Sequence, residues 1–356
     1  MKLRPTLAIA AVASLTAVLA LTSCSAGSSG SIHDAEPASG KTLLVAEPAH
    51  NLGYLPLYVA IDEGIFTKNG LSVKYDTESS GGGAHVNAVL SGKAYGFIGG
   101  PEHNGFVLSQ DGGSATQIKS IANVVNRVNV YMVARKGVKT PSSITDPKKL
   151  ADFLKGKKVI VGAYGGTPNS VLRYVLAKGG LKTTDLKMQE VADANAPLAA
   201  LKTGQADFAV IANPQMQQGI DEGIFQKPFV SFPQMFGPDA YSTINVPVKT
   251  YSTAFGKKTA DAFVKSMSEA LSKVQSDHSL AIKVAQKEFP NLPPDTIKKI
   301  IETCYQDKLW ADDASVSKEA TDMELDIVRT AGVLKDKDKP ATYKDVVDMK
   351  FLDDTK

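Results

Sequence analysis

Short apolar runs separated by helical stretches dominate residues 41–134. TLLVA favours a strand, LSVKYDTE alternates apolar and polar positions with the period of a strand, and YGFIGG is a third short run. Between them lie PLYVAIDEGIF and AHVNAVLSG, which have helical spacing, and the proline that opens the first suits the first turn of a helix. This order predicts a parallel sheet with helices on its faces.

The same pattern recurs over residues 157–232. KKVIVG, LKMQEV and ADFAVIA are strand-like runs, and the helical stretches NSVLRYVLAKGG and PLAALKTG separate them. A long apolar run, NVYMVARKGV, stands between the two units, and PFVSFPQMFGPDAYSTINVPV follows the second. These two segments predict that the chain crosses from one α/β unit to the other and then returns.

From about Tyr251 the pattern becomes helical. Apolar residues recur there at helical spacing, at Phe263, Met267, Ala270, Leu271 and Val274. The sequence therefore predicts two lobes, because the folded part is too long for one comfortable core. The first lobe comprises residues 41–134 and 241–356, and the second comprises residues 135–240. We expect the C-terminal helices to pack on the first lobe.

The N-terminus predicts export and anchoring. A short basic start precedes an apolar run over Leu7–Leu21, which is too short to span a bilayer and predicts a signal peptide over residues 1–23. The LTSC that ends at Cys24 resembles the lipobox of bacterial lipoproteins, whose cysteine is acylated; a secretory signal with a chance cysteine is the alternative. The Ser/Gly-rich residues 24–40 predict a flexible tether.

Composition narrows the classes of function. The formal net charge is +3, without a basic cluster, so the sequence predicts no nucleic-acid partner. Cys304 is the one cysteine besides Cys24, and with no partner it favours a buried apolar position. No nucleophile elbow, catalytic triad, P-loop or dinucleotide fingerprint occurs. The sequence therefore predicts no catalytic residues and no cofactor.

Two internal resemblances have different offsets. IDEGIF occurs at Ile61–Phe66 and Ile220–Phe225, 159 residues apart, whereas SGKAYGFIGGP and TGQADFAVIANP align at an offset of 112. One duplication cannot produce both. The second match falls at the same step of both α/β units and therefore indicates lobes of like topology. IDEGIF predicts instead a helix end before a strand, closed by Gly64 or Gly223 in the left-handed conformation.

Ligands of open α/β sheets bind beyond the carboxyl ends of strands, and five loops lie there: EPAHNLGY, SSGGGAHVN, GGPEHN, AYGGTPNS and ANPQ. Glycine lets the backbone approach a ligand, and N–H groups at a helix start favour polar or anionic groups. A strand-to-helix turn that needs positive φ is the alternative. His50, His85 and His103 lie in these loops without the spacing of a metal site. Arg127 and Arg173 are candidate anion clamps or plain surface residues.

The run GYLPLYVAIDEGIFTKNGLSVKYDTESSGGGAHVNAVLSGKAYGFIGG, with GGTPNSVLRYVLAKGGL and ALKTGQADFAV later, resembles the extracytoplasmic substrate-binding proteins of ABC importers. The similar branch binds aliphatic sulfonates, taurine, nitrate and thiamin-pyrimidine precursors, and the resemblance covers roughly residues 41–270. It implies a type II periplasmic-binding fold of two doubly wound α/β lobes, joined by two crossover segments, with a helical C-terminal portion. The ligand then lies between the lobes.

The resemblance also implies which residues face the ligand, all of them in the loops at the strand ends. They are Asn51, Tyr54, Gly82, Gly83, His85, Gly100, Glu102 and His103 in the first lobe, and Tyr164, Gly166, Thr167, Asn213 and Gln215 in the second. A related branch makes the thiamin pyrimidine as a single-turnover enzyme with a cysteine-rich iron motif. This chain lacks that motif.

Resemblance and residues together predict a monomeric, lipid-anchored receptor on the extracytoplasmic face of a bacterial membrane. It captures a small polar solute and delivers it to an ABC permease and its ATPase. Tyr54, Tyr164, Glu102 and Asn213, with scarce arginine, favour a nitrogenous heterocycle such as a pyrimidine precursor over a sulfonate or nitrate. The alternatives are a pyrimidine-synthase-like or secreted enzyme, and a surface interaction protein with a vestigial cleft.

Overall fold

Two five-stranded sheets organise the part of the chain that the structure describes. The computed structural model describes residues 42–78, 83–110, 117–225 and 227–353. The predicted signal peptide, tether and Cys24 lie outside these ranges. The strands are β1 Leu43–Glu47, β2 Val73–Thr77, β3 Gly96–Gly99, β4 Ile118–Val125, β5 Tyr131–Ala134, β6 Lys158–Gly162, β7 Lys187–Val191, β8 Phe208–Ile211, β9 Val230–Ser231 and β10 Ser242–Pro247.

Helices cover both sheets and form most of the C-terminal part. They are α1 Leu55–Asp62, α2 Ile65–Lys68, α3 Ala84–Leu90, α4 Glu102–Gln110, α5 Pro147–Leu154, α6 Thr167–Lys178, α7 Ala196–Thr203, α8 Gln215–Asp221, α9 Phe232–Phe236, α10 Ala254–Ser276, α11 His278–Glu288, α12 Pro294–Gln306, α13 Lys318–Thr330, α14 Tyr343–Val346 and α15 Lys350–Asp353. Single 3₁₀ turns occur at Leu52–Tyr54, Thr183–Asp185 and Val248–Tyr251. Among the described residues, no helix is both long and apolar enough to cross a bilayer.

The two sheets have the same topology. The first sheet has the order β2-β1-β3-β10-β4, and the second has the order β7-β6-β8-β5-β9. In each sheet, the first three strands in the order are parallel to one another. The fourth strand runs antiparallel to both of its neighbours, the third and the fifth. The prediction of two doubly wound α/β lobes is confirmed. The aligned runs around β3 and β8 occupy equivalent third positions, as the 112-residue match indicates.

The chain crosses between the sheets twice, and each crossing delivers a strand to the other sheet. Strand β5 leaves the first lobe and pairs with β8 and β9, whereas β10 returns and pairs with β3 and β4. The sequence analysis placed Tyr131–Ala134 in the first lobe, and that assignment is wrong. Apolar periodicity marks this segment as a strand, but it cannot say which sheet supplies the neighbours.

The C-terminal helices contact both lobes. The apolar faces of α10 and α11 pack on α1, and Phe263, Met267 and Val274 are fully buried in the first lobe's core. In contrast, α12 contacts α8, and α13 packs along α6 of the second lobe. The expectation that residues 241–356 pack on the first lobe is therefore incomplete: α12 and α13 contact both lobes, since Ile297 and Ile300 of α12 lie in the first lobe's core and α13 also contacts α4. Cys304 on α12 is buried in the apolar core, as expected.

Both copies of IDEGIF end a helix with a left-handed glycine. Gly64 has φ of +66° and Gly223 has φ of +68°. In the second copy, the Ile224 amide donates to the Gly219 carbonyl at 2.9 Å, which is the long hydrogen bond of a Schellman motif. The first copy leads directly into the short helix α2 rather than into a strand, so that part of the prediction is wrong.

Candidate functional site

A buried polar network holds the first turn of α4 against the first sheet. The Asn104 amide donates to Asn245 Oδ1 at 2.8 Å and to the Val346 carbonyl at 3.1 Å. Asn245 also accepts from the Ser120 hydroxyl at 2.7 Å and donates to the Gly99 carbonyl at 2.7 Å. Because buried polar groups are costly when unpaired, this network fixes the position of the residues that begin α4.

Gly100, Glu102 and His103 lie together at that helix start. A Cβ at Gly100 would lie 2.0 Å from Glu102 Oε2 and 3.0 Å from the Ala240 carbonyl oxygen, so this position needs glycine. His103 Nδ1 lies 2.7 Å from Glu102 Oε1. Burial lowers the pKa of His103, but the charge and hydrogen bond of Glu102 outweigh it, and the net pKa is raised. The other oxygen, Glu102 Oε2, is buried without a hydrogen-bond donor.

His85 joins this group from α3. Its ring packs edge-on against His103, with 4.9 Å between ring centroids. Burial, with a smaller contribution from His103, lowers the pKa of His85 to about 3, so this side chain is neutral at physiological pH. Its Nε2 is buried and has no partner. Gly83 precedes the helix with φ of +83°, and Gly82 lies outside the described residues.

Asn51 and Tyr54 occupy the turn after β1. Asn51 caps the 3₁₀ turn, since its Oδ1 accepts from the Gly53 amide at 2.7 Å. Tyr54 is buried beside Tyr241, and its hydroxyl meets that of Ser242. Burial raises the pKa of Tyr54, and the Tyr241 charge adds to the shift. Tyr54 therefore offers a neutral hydroxyl, while Asn51 serves the turn itself.

Two further carboxyl groups, which the sequence analysis missed, lie near Glu102. Asp239 precedes β10, and Glu324 lies within α13; both are buried. Burial raises the pKa of Asp239 to about 7, and the charge of Glu102 adds to the shift. Burial and the charges of Asp239 and Glu102 raise the pKa of Glu324 well above its usual range. Asp239 and Glu324 share a carboxyl–carboxyl contact, which requires a proton between them.

The start of α6 brings second-lobe residues to the same place. Thr167 hydrogen-bonds the Tyr241 hydroxyl, whose pKa burial raises to about 12. Gly166, with extended backbone, precedes the helix. Tyr164 is 51% exposed, and its hydroxyl donates to the Gly332 carbonyl at 2.7 Å just after α13. Thr167 thus meets the first-lobe residues directly, whereas Tyr164 ties the second lobe to the end of α13.

Asn213 and Gln215 make their contacts within the second lobe. Asn213 Oδ1 accepts from the Gln217 amide at 3.3 Å, and its Nδ2 is buried without a partner. The Gln215 side chain donates to Asn195 Oδ1 at 3.0 Å on the surface. No described contact joins these two residues to the group around Glu102, so their role in a ligand site stays a prediction.

Of the two arginines considered as anion clamps, Arg173 is engaged elsewhere, whereas Arg127 keeps a buried Nε without a partner and interacts electrostatically with Asp239. Arg173 donates to Asn169 Oδ1 at 2.6 Å and to Glu190 Oε1 at 2.7 Å, and its guanidinium lies over the Tyr164 ring. Arg127 donates to the Pro233 carbonyl at 3.2 Å. Within the described ranges, no group of three or more histidine, cysteine or acidic side chains is placed to hold a metal ion.

A cavity of about 450 Å³ lies between α8, β9 and the end of α12. Its carboxylate, Asp307, accepts from the hydroxyls of Tyr131 at 2.6 Å and Ser231 at 3.1 Å, and from the Gln234 amide at 2.8 Å. These donors leave the carboxylate fully engaged. The group around Glu102, with its unpaired oxygens, is therefore the better candidate for a ligand site.

Comparisons with known proteins agree with this architecture. YtlA of Bacillus subtilis (strain 168) is 28% identical over 294 residues, which cover 82% of this chain and 83% of YtlA. The alkanesulfonate-binding protein SsuA from Xanthomonas axonopodis pv. citri, bound to MOPS, has a TM-score of 0.65 at 17% identity, covering 88% of this chain and 99% of that one. The periplasmic nitrate-binding protein NrtA from Synechocystis PCC 6803 has a TM-score of 0.68 at 18% identity, covering 88% of both chains.

These structural likenesses establish the periplasmic-binding-protein-like fold that the sequence predicts. At their level of identity, they carry the fold alone. The family assignment rests on a separate match, between residues 51–281 and the model described as "NMT1/THI5 like". Because that match spans more than half of the sequence, the chain belongs to the NMT1/THI5-like family.

Proposed function

We propose that this chain is the solute-binding receptor of an ABC importer, which captures a small polar ligand between its lobes and delivers it to a membrane permease. Family membership supports this proposal, as does the fold that the chain shares with SsuA and NrtA, whose names describe alkanesulfonate and nitrate binding. The receptor acts without chemical conversion of its ligand, and we propose that it acts as a monomer.

One observation carries the proposal. Tyr54 and Glu102 of the first lobe and Thr167 of the second lobe meet around Tyr241, at the carboxyl ends of β1, β3 and β6. Strand ends are where open α/β sheets bind ligands, because loops and helix starts converge there. A ligand held by residues of both lobes favours the closed arrangement, which is the form we expect the permease to recognise.

For the ligand we propose a nitrogenous heterocycle, such as a pyrimidine precursor, with a sulfonate or nitrate-type anion as the second choice. Glu102 offers a buried, unpaired carboxyl oxygen that can accept hydrogen bonds from N–H groups on a ring edge, and Tyr54 nearby offers a neutral hydroxyl. Arg173, which would suit an oxyanion, is already paired with Glu190.

A thermal-shift screen of sulfonates, nitrate, pyrimidines, flavins and amino acids tests the receptor function. We expect at least one small solute to raise the melting temperature in a saturable way, because a ligand that binds the native state stabilises it by mass action. Analysis of the recovered solute by mass spectrometry should show it unchanged. Conversion of the solute would favour an enzyme, and the absence of any shift would contradict the receptor.

The anchoring of the receptor is a separate proposal. We propose that Cys24 is lipidated, with a palmitate among its acyl groups, and that residues 24–40 tether the folded part to the extracytoplasmic face of the membrane. A Cys24→Ser chain expressed in a bacterial host should move from the membrane fraction to the soluble fraction. The same chain should keep its solute binding, since the candidate site lies in the folded part.

A further inference from the structure

Three buried carboxyl groups converge between the lobes from separate segments of the chain. Glu102 begins α4, Asp239 lies just before β10, and Glu324 lies in the middle of α13. Asp239 is fully buried, while Glu102 and Glu324 are 7% and 6% exposed. Backbone contacts join the three segments: the Ala240 amide, next to Asp239, donates to the Ala320 carbonyl of α13 at 3.0 Å, and the Ala240 carbonyl oxygen lies 3.0 Å from the Cβ position of Gly100, just before α4. The three side chains, which also interact electrostatically, are here named the carboxyl cluster.

The protein supplies little to balance this cluster. His103 pairs with one oxygen of Glu102, and the proton between Asp239 and Glu324 serves their mutual contact, but the second oxygen of Glu102 has no donor among the described residues. Arg127 acts on Asp239 electrostatically, yet its Nη1 donates to the Pro233 carbonyl. An unpaired carboxylate in such a place costs several kcal/mol by order of magnitude, so a proton or a ligand must compensate it.

A polar group on another element also lacks its partner beside the cluster. His85 Nε2 is buried and unpaired, and its ring packs on His103, which in turn holds Glu102. On the other side, Tyr241 joins the cluster to Thr167 of the second lobe. Residues of both lobes thus surround the unpaired oxygen of Glu102 and the carboxyl groups of Asp239 and Glu324, which can accept hydrogen bonds from ligand N–H groups.

Two other occupants fit this place poorly. The carboxyl and imidazole groups, as far as the structure describes them, are not arranged for a metal ion. An anion such as a sulfonate or nitrate would face Glu102, Asp239 and Glu324 with Arg127 as the nearby cation, and like charges repel strongly at low dielectric.

Building on the proposed receptor function, we propose that the carboxyl cluster binds a small organic cation through N–H groups that donate to Asp239 and Glu102. An amine, an amidine or a protonated amino-heterocycle has this chemistry. Hydrogen bonds between a charged donor and a carboxylate are about twice as strong as neutral ones. The cation also removes the cost of the unpaired charge that the empty cluster carries.

Cation binding at this cluster releases protons. Without the ligand, burial holds the pKa of Asp239 at about 7, with Glu102 raising it and Arg127 opposing the shift, and the pKa of Glu324 is higher still. A bound cation favours the ionised carboxyls and so lowers these pKa values. Affinity therefore rises as the pH increases through about 7, provided that the ligand itself stays protonated.

The test uses the full chain in detergent, with probes matched in size but different in charge: amines, amidines and amino-heterocycles against sulfonates, carboxylates and nitrate. We expect only positively charged probes to raise the melting temperature. In calorimetry, Asp239→Asn and Glu324→Gln should each weaken binding at least about tenfold. Asp322→Asn, an exposed carboxylate on the same helix as Glu324, should leave the affinity unchanged.

Proton release on binding distinguishes a ligand-binding role of Asp239 from a structural one, because a structural residue would not change the number of protons released. Titrations in buffers of different ionisation enthalpy should reveal protons released by the native chain and fewer released by Asp239→Asn, whose fold is checked by circular dichroism. If sulfonate or nitrate binds, and neither Asp239→Asn nor Glu324→Gln changes its affinity, the cation proposal is overturned while the receptor function stands. The absence of binding by any probe would instead contradict the receptor function itself.

Discussion

Buried carboxyl groups serve two different purposes in this molecule. Glu47 is fully buried at the end of β1, and it accepts from Tyr58 and Thr77 hydroxyls at 2.7 Å and from His50 at 3.1 Å. Its oxygens are satisfied, so it organises the first loop. Glu102, in contrast, keeps one buried oxygen without a donor, and Asp239 contacts only another carboxyl group, that of Glu324. That contrast separates a carboxylate that stabilises the fold from the group that we propose for a ligand.

Asp239 should reduce stability above neutral pH. Its folded pKa, about 7, exceeds the ordinary value of 3.8, so the folded state keeps a proton that the unfolded state loses. The free energy of unfolding therefore falls as pH rises between these two values. In urea titrations at about pH 5 and about pH 8, Asp239→Asn should reduce this fall by roughly 2 kcal/mol. Parallel pH profiles for both proteins would contradict the assignment.

The left-handed glycines of IDEGIF allow a second prediction at the residue scale. Because no atom lies within 4 Å of an added Cβ at Gly64 or Gly223, the cost of alanine is conformational rather than steric. Each Gly→Ala substitution should lower the free energy of unfolding by about 1 kcal/mol. Gly64→Asn is the matched control, since asparagine enters this conformation more readily. Equal stability of Gly64→Ala and the native chain would show that this conformation is not required.

What the sequence could reveal at this scale depended on local pattern. Gly100, Glu102 and His103 follow a short strand, and that position alone marked them as candidates. Asp239 lies in a connecting segment, and Glu324 reads as one polar position of an amphipathic helix. Neither residue lies in a recognisable sequence motif. Both are distant from Glu102 in the sequence, and only the fold brings them near it. Helical periodicity places the charged Glu324 on the buried face of α13, and that placement was the one sequence signal of an unusual role for this residue.

At the scale of elements, the helices α11 and α12 join the two lobes through the aspartates of the repeated motif. Asp62 of the first copy accepts from Lys287 of α11 at 2.6 Å. Asp221 of the second copy accepts from Lys299 at 2.6 Å and from Thr296 at 3.0 Å, both of α12. Each copy of the motif thus ends a helix, and its aspartate binds α11 to the first lobe or α12 to the second lobe.

Removing the second of these contacts should loosen α12. Asp221→Ala deletes an acceptor shared by Lys299 and Thr296, and we expect a loss of about 1 kcal/mol because partly exposed ion pairs contribute little. Hydrogen–deuterium exchange should speed up in α12 and change little in α10. Asp62→Ala is the counterpart, with its effect in α11. Unchanged exchange in α12 would mean that apolar packing alone holds this helix.

The sequence predicts whether a segment is a helix or a strand where its periodicity is strong, but it does not predict which elements pack against it. The strands of both parallel sets follow from short apolar runs between helices. Strand β5 was assigned to the wrong sheet, and the second-lobe contacts of α12 and α13 were not predicted, because the apolar face of an element does not identify what covers it. Tyr164 illustrates the same limit, since its hydroxyl bonds the Gly332 carbonyl of a segment far along the chain.

At the scale of the whole molecule, the two sheets have equal topology: the second consists of the consecutive strands β5–β9, and the first consists of β1–β4 with the returning strand β10. Two connections, residues 126–130 and 232–241, therefore join the lobes. Paired crossings of this kind allow hinge closure without disturbing either sheet. The second connection carries Asp239, so the ligand contact that we propose there would be coupled directly to the position of the lobes.

Above all, we propose that the chain binds a small solute between its lobes without converting it. Isothermal titration of the best solute from the thermal-shift screen tests this claim most directly. We predict a saturable one-site isotherm, with a dissociation constant in the micromolar range or tighter, on the order of −8 kcal/mol or below, and full recovery of the solute. A titration without saturable heat, or the appearance of a product, would contradict the account.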